Sequence, residues 1–423
     1  MNDLISIDEK HIWHPFTPLQ TERMPLVTHG EGAYLYTADG KRLIDAISSW
    51  WVNLHGHGNS AIAEAIAAQA RKLEHVIFAG FTHEPAITLS RNLLEMLPRT
   101  FSRVFFSDNG STAVEVALKM AIQYWHNLGT PKKKVIAIKG AYHGDTFGSM
   151  SVGERGLFTE PFFPFLFQTL FIDFPAPGGE EKTVAQFTEL SKDGDVAAFI
   201  FEPLVQAAGG MKMYSATCLD KLLEQAKKAG IVTIADEVFT GFGRTGKRLA
   251  TDHVVHKPDI IALSKGITGG FMPLGVTACT KTIADAFDSP SLTRTFFHGH
   301  SYTANPLACA AANASYEILM TDECQERIAE ISQRQQAFVS SVAANPKVLD
   351  ARSLGTILAI ELRTDGGSGY QNELRSAIYP YFLERGILLR PLGNTLYLVP
   401  PYVVEDDTLR YVHDTIAGFL KTL

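Results

Sequence analysis

Two charged residues, Asp236 and Lys265, follow apolar runs of the kind that form buried strands. Asp236 comes directly after 231-IVTIA-235, and Lys265 comes directly after 259-DIIALS-264. A lysine can form a Schiff base with an aldehyde cofactor, and pyridoxal phosphate needs a carboxylate that keeps its ring nitrogen protonated. The pair therefore predicts chemistry on pyridoxal phosphate. Taken singly, each residue has a structural alternative: Asp236 could cap a loop, and Lys265 could be a solvated side chain.

The turn 107-SDNGSTAVEV-116 is a candidate phosphate site. Gly110 allows a close approach of the backbone, and Ser111 and Thr112 offer hydroxyl groups. The start of the following helix presents free N–H groups at its positive dipole end. The same residues would also serve as an ordinary helix N-cap. Tyr142, which follows another apolar run, could stack on a planar ring or be an ordinary half-buried tyrosine.

The stretch 234-IADEVFTGFGRTGK-247 carries two patterns that resemble nucleotide-binding motifs. Its three glycines have the spacing G-x-G-x-x-G, and its last seven residues read G-x-x-x-x-G-K. A dinucleotide site needs a helix directly after the glycines, whereas 247-KRLATDHVVHKPD-259 has no helical period. A P-loop needs Ser or Thr after the lysine, but Lys247 is followed by Arg248. We therefore interpret the glycines as a structural loop.

The elements that must position these residues alternate between strands and helices. Apolar runs predict buried strands at 103-RVFFS-107, 134-KVIAIK-139, 197-AAFIF-201, 231-IVTIA-235 and 259-DIIALS-264. Helical periods predict helices at 112-TAVEVALKMAIQYWHNLG-129 and 217-TCLDKLLEQAKKAG-230. This alternation predicts an α/β fold with a mainly parallel sheet covered on both faces. Ligands of such folds bind outside the carboxyl ends of the strands, where Asp236 and Lys265 are expected.

Both ends of the chain have a different pattern, with short strands mixed among amphipathic helices. Strands are predicted within 33–45, 357–363, 386–391 and 395–400, and 364-TDGGSG-369 is predicted to be a turn. We therefore expect a large cofactor-binding domain over residues 60–330. A smaller α+β domain is expected to combine residues 1–59 with residues 331–423.

Composition limits the classes of function. The 423 residues are 46% hydrophobic and carry a formal net charge of -7 without a basic block, which argues against nucleic acid and anionic membranes. The four scattered cysteines indicate reduced core thiols. The first residues lack the apolar core of a signal peptide, and no apolar run reaches about 18 residues. We expect a soluble cytoplasmic protein with no nucleic-acid or membrane partner and no metal site.

Segments around all of these residues resemble the class III pyridoxal-phosphate aminotransferases. They are DNGSTAVEVALKMA (108–121), AYHGDTFGSMS (141–151), FEPLVQAAGGM (201–211), IADEVFTGFGRTG (234–246), LSKGITGG (263–270) and HSYTANPLACAAANAS (300–315). Within that class, 11-HIWHPFTPLQ-20, 48-SSWWVNLHGHGN-59 and 389-LRPLGNTLYLVPPY-402 are similar to the adenosylmethionine–8-amino-7-oxononanoate aminotransferases of biotin synthesis. The resemblance runs nearly end to end. It implies fold type I of the pyridoxal-phosphate-dependent transferases, which is aspartate-aminotransferase-like.

The resemblance also implies roles for individual residues. Lys265 would be the Schiff-base lysine, Asp236 the partner of the ring nitrogen, and Tyr142 a catalytic residue that stacks on the ring. Cofactor-binding residues would be Gly110, Ser111, Tyr142, Asp236, Lys265, His300 and Ser301, with His300 and Ser301 reaching the phosphate of the other subunit. Substrate-binding residues would be Trp50, Tyr142, Lys265, Gly299 and Arg390, with Arg390 holding the carboxylate of the keto-acid substrate.

The implied activity is transfer of an amino group from S-adenosylmethionine to 8-amino-7-oxononanoate, in a homodimer with shared active sites. Phe16 stands where this family usually has a tyrosine, and Ser301 replaces a threonine. Phe239 fits the biotin branch, where that position is apolar. Two alternatives remain open at this point. One is a broader ω-amino-acid transaminase, and the other is the same acceptor with lysine as the amino donor. An aminomutase would lack the Trp-His-Pro start, and a regulator would need an added DNA-binding domain.

Overall fold

The strands of the chain form four separate sheets within the described residues. The computed structural model describes residues 2–19, 24–156, 159–364 and 374–423. In chain order the strands are β1 Val27–Glu31, β2 Tyr34–Thr37, β3 Arg42–Asp45, β4 Phe101–Ser107, β5 Lys134–Ile138, β6 Thr169–Ile172, β7 Val196–Phe201, β8 Val205–Gln206, β9 Lys212–Met213, β10 Val232–Asp236, β11 Ile260–Leu263, β12 Gly275–Thr280, β13 Val348–Leu354, β14 Ile357–Leu362, β15 Ile387–Leu388 and β16 Thr395–Leu398.

The helices alternate with the strands through the middle of the chain and cluster after residue 305. They are α1 Asn2–His11, α2 Ser48–Trp51, α3 Ser60–Ala70, α4 Glu84–Met96, α5 Gly110–Asn127, α6 Phe147–Ser151, α7 Glu180–Leu190, α8 Ala216–Lys228, α9 Lys281–Asp285, α10 Pro306–Leu319, α11 Asp322–Val342, α12 Leu374–Glu384 and α13 Asp406–Leu420. Among the described residues, no helix is both long enough and apolar enough to cross a membrane.

The largest sheet has seven strands in the order β4-β12-β11-β10-β7-β5-β6. The pairs from β11 through β10, β7 and β5 to β6 are parallel, and β12 runs antiparallel to both β11 and β4. The predicted α/β fold with a mainly parallel sheet is therefore confirmed, and all five predicted strands of the middle region are present. Strands β6 and β12 were not predicted, because their runs are short and, in β12, contain small and polar residues.

Both faces of this sheet are covered, as predicted. Alternate residues of the central strands pack into two different apolar clusters, for example Ile136 in one and Ala137 in the other. Helix α5 covers one face with its buried residues, while α7 and α8 contribute Phe187 and Leu222 to the cluster on the opposite face. Strands buried on both sides become continuous apolar runs, which is why β7 reads VAAFIF. This packing holds the carboxyl ends of β10 and β11 rigidly side by side.

The two ends of the chain meet in a smaller sheet of order β1-β2-β3-β15. Strand β15 runs parallel to β3, and Leu388 lies in register with Asp45. Only residues 387–388 of the predicted strand 386–391 are in a strand, and the predicted turn at 364–369 lies outside the described residues except for Thr364. A third sheet, β13-β14-β16, is formed by the C-terminal part alone. The division into two domains at residues 59 and 330 stays a prediction.

Candidate active site

A cavity of about 680 Å³ opens at the carboxyl ends of the central strands. Its lining includes Gly110, Ser111, Tyr142, Asp236 and Lys265, which come from separate parts of the chain. Strands β10 and β11 are parallel neighbours, and Asp236 lies in register with Ala262, three residues before Lys265. The structure therefore brings these five predicted site residues together.

Lys265 begins a short 3₁₀ segment that is separated from β11 by Ser264 alone, and its φ of 49° lies in the left-handed region. A bulky residue in that region is strained, and strain of this kind clusters at functional sites. Its Nζ lies 4.7 Å from the ring centre of Trp51 and 5.9 Å from that of Phe239. Removal from water lowers the pKa of Lys265 to about 8, against the opposing effect of the Asp236 and Glu202 charges. A larger fraction of this amine is therefore neutral and nucleophilic near neutral pH.

Asp236 is held by a residue that the sequence analysis did not select. His143 Nδ1 lies 2.7 Å from Asp236 Oδ2, and the backbone N–H of Val238 donates to Oδ1 at 3.1 Å. Both side chains are buried, and the His143 Nε2 atom has no partner among the described residues. The only signal for His143 in the sequence is its position directly after Tyr142. The contact spans 93 positions, so no local pattern predicts it.

Glu202 is a second residue that the sequence analysis did not assign to the site. Its carboxylate accepts the backbone N–H of Tyr142 at 2.9 Å and that of Ala207 at 2.9 Å, which fixes the segment that carries the Tyr142 ring. Burial raises the pKa of Glu202 to about 7. Burial also raises the pKa of Tyr142, and the adjacent Asp145 charge adds to this effect. The phenol of Tyr142 therefore stays neutral.

The start of α5 has the geometry of an anion site. The Asn109 side chain caps the helix by accepting the N–H of Thr112, and the first N–H groups of a helix have no acceptor within it. Glycine is required around this turn, because a Cβ on Gly110 would lie 2.6 Å from Val238 and a Cβ on Gly144 would lie 2.3 Å from Ser111 Oγ. Gly110 and Gly144 therefore allow close packing at this turn, and both residues line the cavity, where a phosphate could approach the start of α5.

A chain of hydroxyl groups runs from this turn to a carboxylate. Thr146 Oγ1 donates to Glu115 Oε1 at 2.5 Å, and Ser111 Oγ lies 2.8 Å from Thr146 Oγ1. Since the single Thr146 proton goes to the carboxylate, Thr146 accepts the proton of Ser111. Ser111 in turn accepts the backbone N–H of Thr146 at 3.1 Å. The Ser111 side chain is thus held in place by the loop that carries Tyr142.

The other five predicted residues do not line this cavity in the single chain. Gly299 and Ser301 are exposed, and the Ser301 carbonyl accepts from His75 Nε2 at 2.6 Å. His300 Nδ1 lies 3.6 Å from Asp108 Oδ2. Trp50 and Arg390 lie together, with the guanidinium carbon 5.3 Å from the centre of the Trp50 ring. The structure therefore brings Trp50 and Arg390 together but leaves the 299–301 segment on the surface.

The turn at residues 48–51 that carries Trp50 and Trp51 is strained. Ser48, Ser49 and Trp51 have φ values of 51°, 59° and 66°, all in the left-handed region. Each such residue other than glycine costs about 1–2 kcal/mol. The turn presents Trp51 to Lys265 and leaves Trp50 43% exposed beside Arg390. Phe16 also contacts Trp50, in an edge-to-face arrangement with ring centres 5.6 Å apart.

The glycine-rich stretch after Asp236 contacts protein and not the cavity. A Cβ on Gly243 would meet Ile328 at 2.7 Å, and Gly246 packs against the backbone of Gly355. No helix follows these glycines, since residues 250–253 form a single 3₁₀ turn. This agrees with the interpretation of the stretch as a structural loop.

Residues 18–420 match the sequence profile of the family described as Aminotransferase class-III. The chain belongs to the class III aminotransferases. Enzymes of this family are generally dependent on pyridoxal phosphate, and the predicted resemblance and fold are confirmed. The lysine and carboxylate in the cavity of this class III aminotransferase are the groups that such chemistry requires.

Relatives of this aminotransferase span its whole length. The adenosylmethionine-8-amino-7-oxononanoate aminotransferase of Synechococcus elongatus is 50% identical over 98% of this chain and 99% of its own. The crystal structure of the enzyme of that name from Methanocaldococcus jannaschii has a TM-score of 0.95 at 34% identity, covering 100% of this chain and 99% of that one. A PLP-bound amine transaminase from an uncultivated Pseudomonas species has a TM-score of 0.89 at 31% identity, covering 96% and 97% of the two chains.

Proposed function

We propose that this aminotransferase uses pyridoxal 5'-phosphate to move an amino group onto 8-amino-7-oxononanoate, forming the 7,8-diamino product of biotin biosynthesis. The observation that carries the cofactor assignment is the cavity in which the Lys265 amine, the Asp236 carboxylate and the Tyr142 ring meet. The relatives at 34–50% identity whose names specify this acceptor support the substrate assignment.

The residues of the cavity fit the cofactor in their chemistry. The Lys265 amine, with its pKa lowered to about 8, is a suitable nucleophile for an aldehyde. Gly110, Ser111 and Gly144 line the cavity at the start of α5, where free helix N–H groups suit a phosphate. The buried Asp236 carboxylate, with His143 behind it, is suited to hold a proton on a pyridine nitrogen. Tyr142, 37% exposed, offers a ring face to a planar group.

The cofactor, when bound, supplies an electrophilic carbonyl and an electron-withdrawing ring that stabilises a carbanion. Lys265 would hold it covalently through Nζ and, once released, would move the proton from the amine-bearing carbon of the substrate to the cofactor's former aldehyde carbon. Asp236 would keep the ring nitrogen protonated. Trp51 and Phe239 would exclude water from the Lys265 amine, because their rings cover it.

For the acceptor, we propose that Arg390 binds the carboxylate at the end of the 8-amino-7-oxononanoate chain. A guanidinium can meet a carboxylate with two parallel hydrogen bonds, and the Trp50 ring beside it offers an apolar wall for the aliphatic chain. For the donor, we propose S-adenosylmethionine. Phe16 lacks the hydroxyl that a tyrosine would place beside Trp50, so lysine is the alternative donor to test.

We also propose that the protein is a cytoplasmic homodimer. Phe297 and Tyr302, which flank the 299–301 segment, are 71% and 63% exposed, and a second copy would bury them. In that dimer Gly299 would border the partner's substrate, while His300 and Ser301 would approach the partner's phosphate. The proposed division of the chain, with residues 60–330 forming the cofactor-binding domain, accords with these roles.

The test combines cofactor binding with single turnovers. The holoenzyme is mixed separately with S-adenosylmethionine, lysine and a simple amine, and the loss of the cofactor's visible absorbance is followed in each case. Conversion by S-adenosylmethionine, followed by recovery with 8-amino-7-oxononanoate, supports the proposal. Recovery with pyruvate alone would point to a broader ω-amino-acid transaminase. Lys265→Ala is expected to abolish both the covalent absorbance and turnover, and normal turnover in that variant would contradict the assignment.

A further inference from the structure

The strained turn at 48–51 is tied to a buried carboxylate, Asp45, which no part of the proposed chemistry uses. Asp45 is fully buried, and its Oδ1 accepts the backbone N–H of Ser49 at 2.8 Å. Its Oδ2 accepts the Ser49 hydroxyl at 2.9 Å and lies 2.8 Å from His57 Nε2. Ser49 thus donates to both carboxylate oxygens, and His57 contacts Oδ2 from outside the turn.

Asp45 also lies at the junction between the segment that carries Trp50, after β3, and the segment that carries Arg390, after β15. It is the last residue of β3 and is in register with Leu388 of β15, and the N–H of Ala46 donates to the Leu388 carbonyl at 3.2 Å. From this junction one segment leads to Trp50 and the other leads to Arg390. The distance of 5.3 Å between the Arg390 guanidinium and the Trp50 ring therefore depends on how the turn leaves Asp45.

Strained backbone conformations persist only where the surrounding structure holds them. Hydrogen bonds to an ionised carboxylate are among the stronger restraints available to a turn. Ser48 adds one more restraint, since its hydroxyl donates to the Val399 carbonyl at 2.7 Å. That bond fixes the start of the turn, whereas the bonds to Asp45 fix Ser49, directly before Trp50.

We propose that Asp45, with His57 as its hydrogen-bond partner, is a positioning residue that aims Trp50 at Arg390 and Trp51 at Lys265. The proposal rests on the assignment of Lys265 and Arg390 to the reaction. An amide at position 45 keeps one acceptor oxygen but places an NH2 group, which cannot accept, where the Ser49 hydroxyl and His57 Nε2 now meet Oδ2, so the turn relaxes from its strained conformation. Trp50 then no longer packs on Arg390, and Trp51 no longer covers the Lys265 amine.

The test compares Asp45→Asn with a matched control, Asp259→Asn. Asp259 also accepts a backbone N–H and a hydroxyl, at 2.9 and 2.8 Å from Thr233, but lies at the amino end of β11, whereas Lys265 follows the carboxyl end of that strand. Both variants are made in a Trp13→Phe, Trp125→Phe background, which leaves Trp50 and Trp51 as the only tryptophans of the chain. Acrylamide quenching of their fluorescence is then measured with the thermal stability and with the KM and kcat for 8-amino-7-oxononanoate.

In Asp45→Asn we expect stronger quenching and a KM raised by about tenfold, the effect of losing one strong contact to the substrate. Asp259→Asn is expected to keep the quenching and KM of the parent, even where it loses stability. If the two variants lose stability alike and both retain the parent's quenching and KM, Asp45 is only structural and the proposal is wrong. A parent enzyme that does not turn over this acceptor counts against the proposed function, and the quenching then decides the role of Asp45 by itself.

A second pair of variants decides the matter if Asp45→Asn does not fold. His57→Gln keeps a donor that can reach Asp45, whereas His57→Ala removes it. We expect His57→Gln to keep the parent's quenching and KM. His57→Ala is expected to show stronger quenching and a higher KM. Parent-like values in His57→Ala would overturn the proposal.

Discussion

His143 Nδ1 lies 2.7 Å from Asp236 Oδ2, and both side chains are buried at the end of β10. The imidazole occupies one carboxylate oxygen, and the N–H of Val238 occupies the other. The carboxylate is therefore fixed in position, with one hydrogen-bond partner at each of its oxygens. An anion held in this way can raise the pKa of a cationic group opposite it by about 1–3 units.

Asp236→Asn is expected to leave a folded protein that binds the cofactor but abstracts the substrate proton slower by orders of magnitude. The amide keeps the shape of the side chain and removes the charge that holds the ring nitrogen protonated. Stopped-flow single turnovers with the amino donor measure this step, and Asp259→Asn is a control for a hydrogen-bonded, partly buried aspartate elsewhere. A variant with wild-type single-turnover rates would show that Asp236 serves only as a scaffold.

The neighbourhood of Asp236 and Lys265 could be predicted from the sequence because it depends on local features. Each residue follows an apolar run, and parallel strands align their carboxyl ends. The contact of His143 with Asp236 could not be predicted, since it depends on how the loop after β5 folds back over the sheet. The contact of Trp50 with Arg390 likewise depends on the pairing of β3 with β15, which joins opposite ends of the chain. No propensity predicts left-handed φ values at Ser48, Ser49 and Trp51.

Lys265→Met is expected to stabilise the cofactor-free protein at pH 7. The folded pKa of Lys265 is about 8, below the unfolded value of 10.5, so the folded state must carry a poorly solvated charge at neutral pH. Below pH 8 the Lys265 charge destabilises the folded state by its full amount, roughly 1–3 kcal/mol after allowance for the partial exposure of the side chain. This destabilisation disappears as the pH rises to 10.5, because the unfolded state then also loses its proton. Denaturant unfolding of both proteins between pH 7 and 10.5 checks this, and a pH-independent difference would contradict it.

The raised pKa of Glu202 predicts that folding stability also changes with pH, at lower pH values than for Lys265. Its folded pKa of about 7 lies above the ordinary value of 4.5, because the carboxyl group is buried, so the folded state binds the proton more tightly than the unfolded state. The contribution of Glu202 to stability is therefore full below pH 4.5 and is lost as the pH rises through 7, by roughly 3 kcal/mol at most. Glu202→Gln should not show this loss, so its difference from wild type should change between pH 5 and about 8. Parallel stability curves for the two proteins would show that Glu202 has an ordinary pKa.

Arg390 is expected to act on the acceptor half-reaction more than on the donor half-reaction. Hydrogen bonds to charged groups contribute about 1.5–3 kcal/mol each, so Arg390→Ala should raise the KM for 8-amino-7-oxononanoate at least tenfold. Arg390→Lys should recover only part of this loss, because an ammonium cannot make two parallel bonds to a carboxylate. The reaction with S-adenosylmethionine should be much less affected if the two substrates use different anchoring groups. Separate single-turnover measurements of both half-reactions check this. Equal damage to both would indicate that Arg390 serves mainly to support the Trp50 ring, 5.3 Å away.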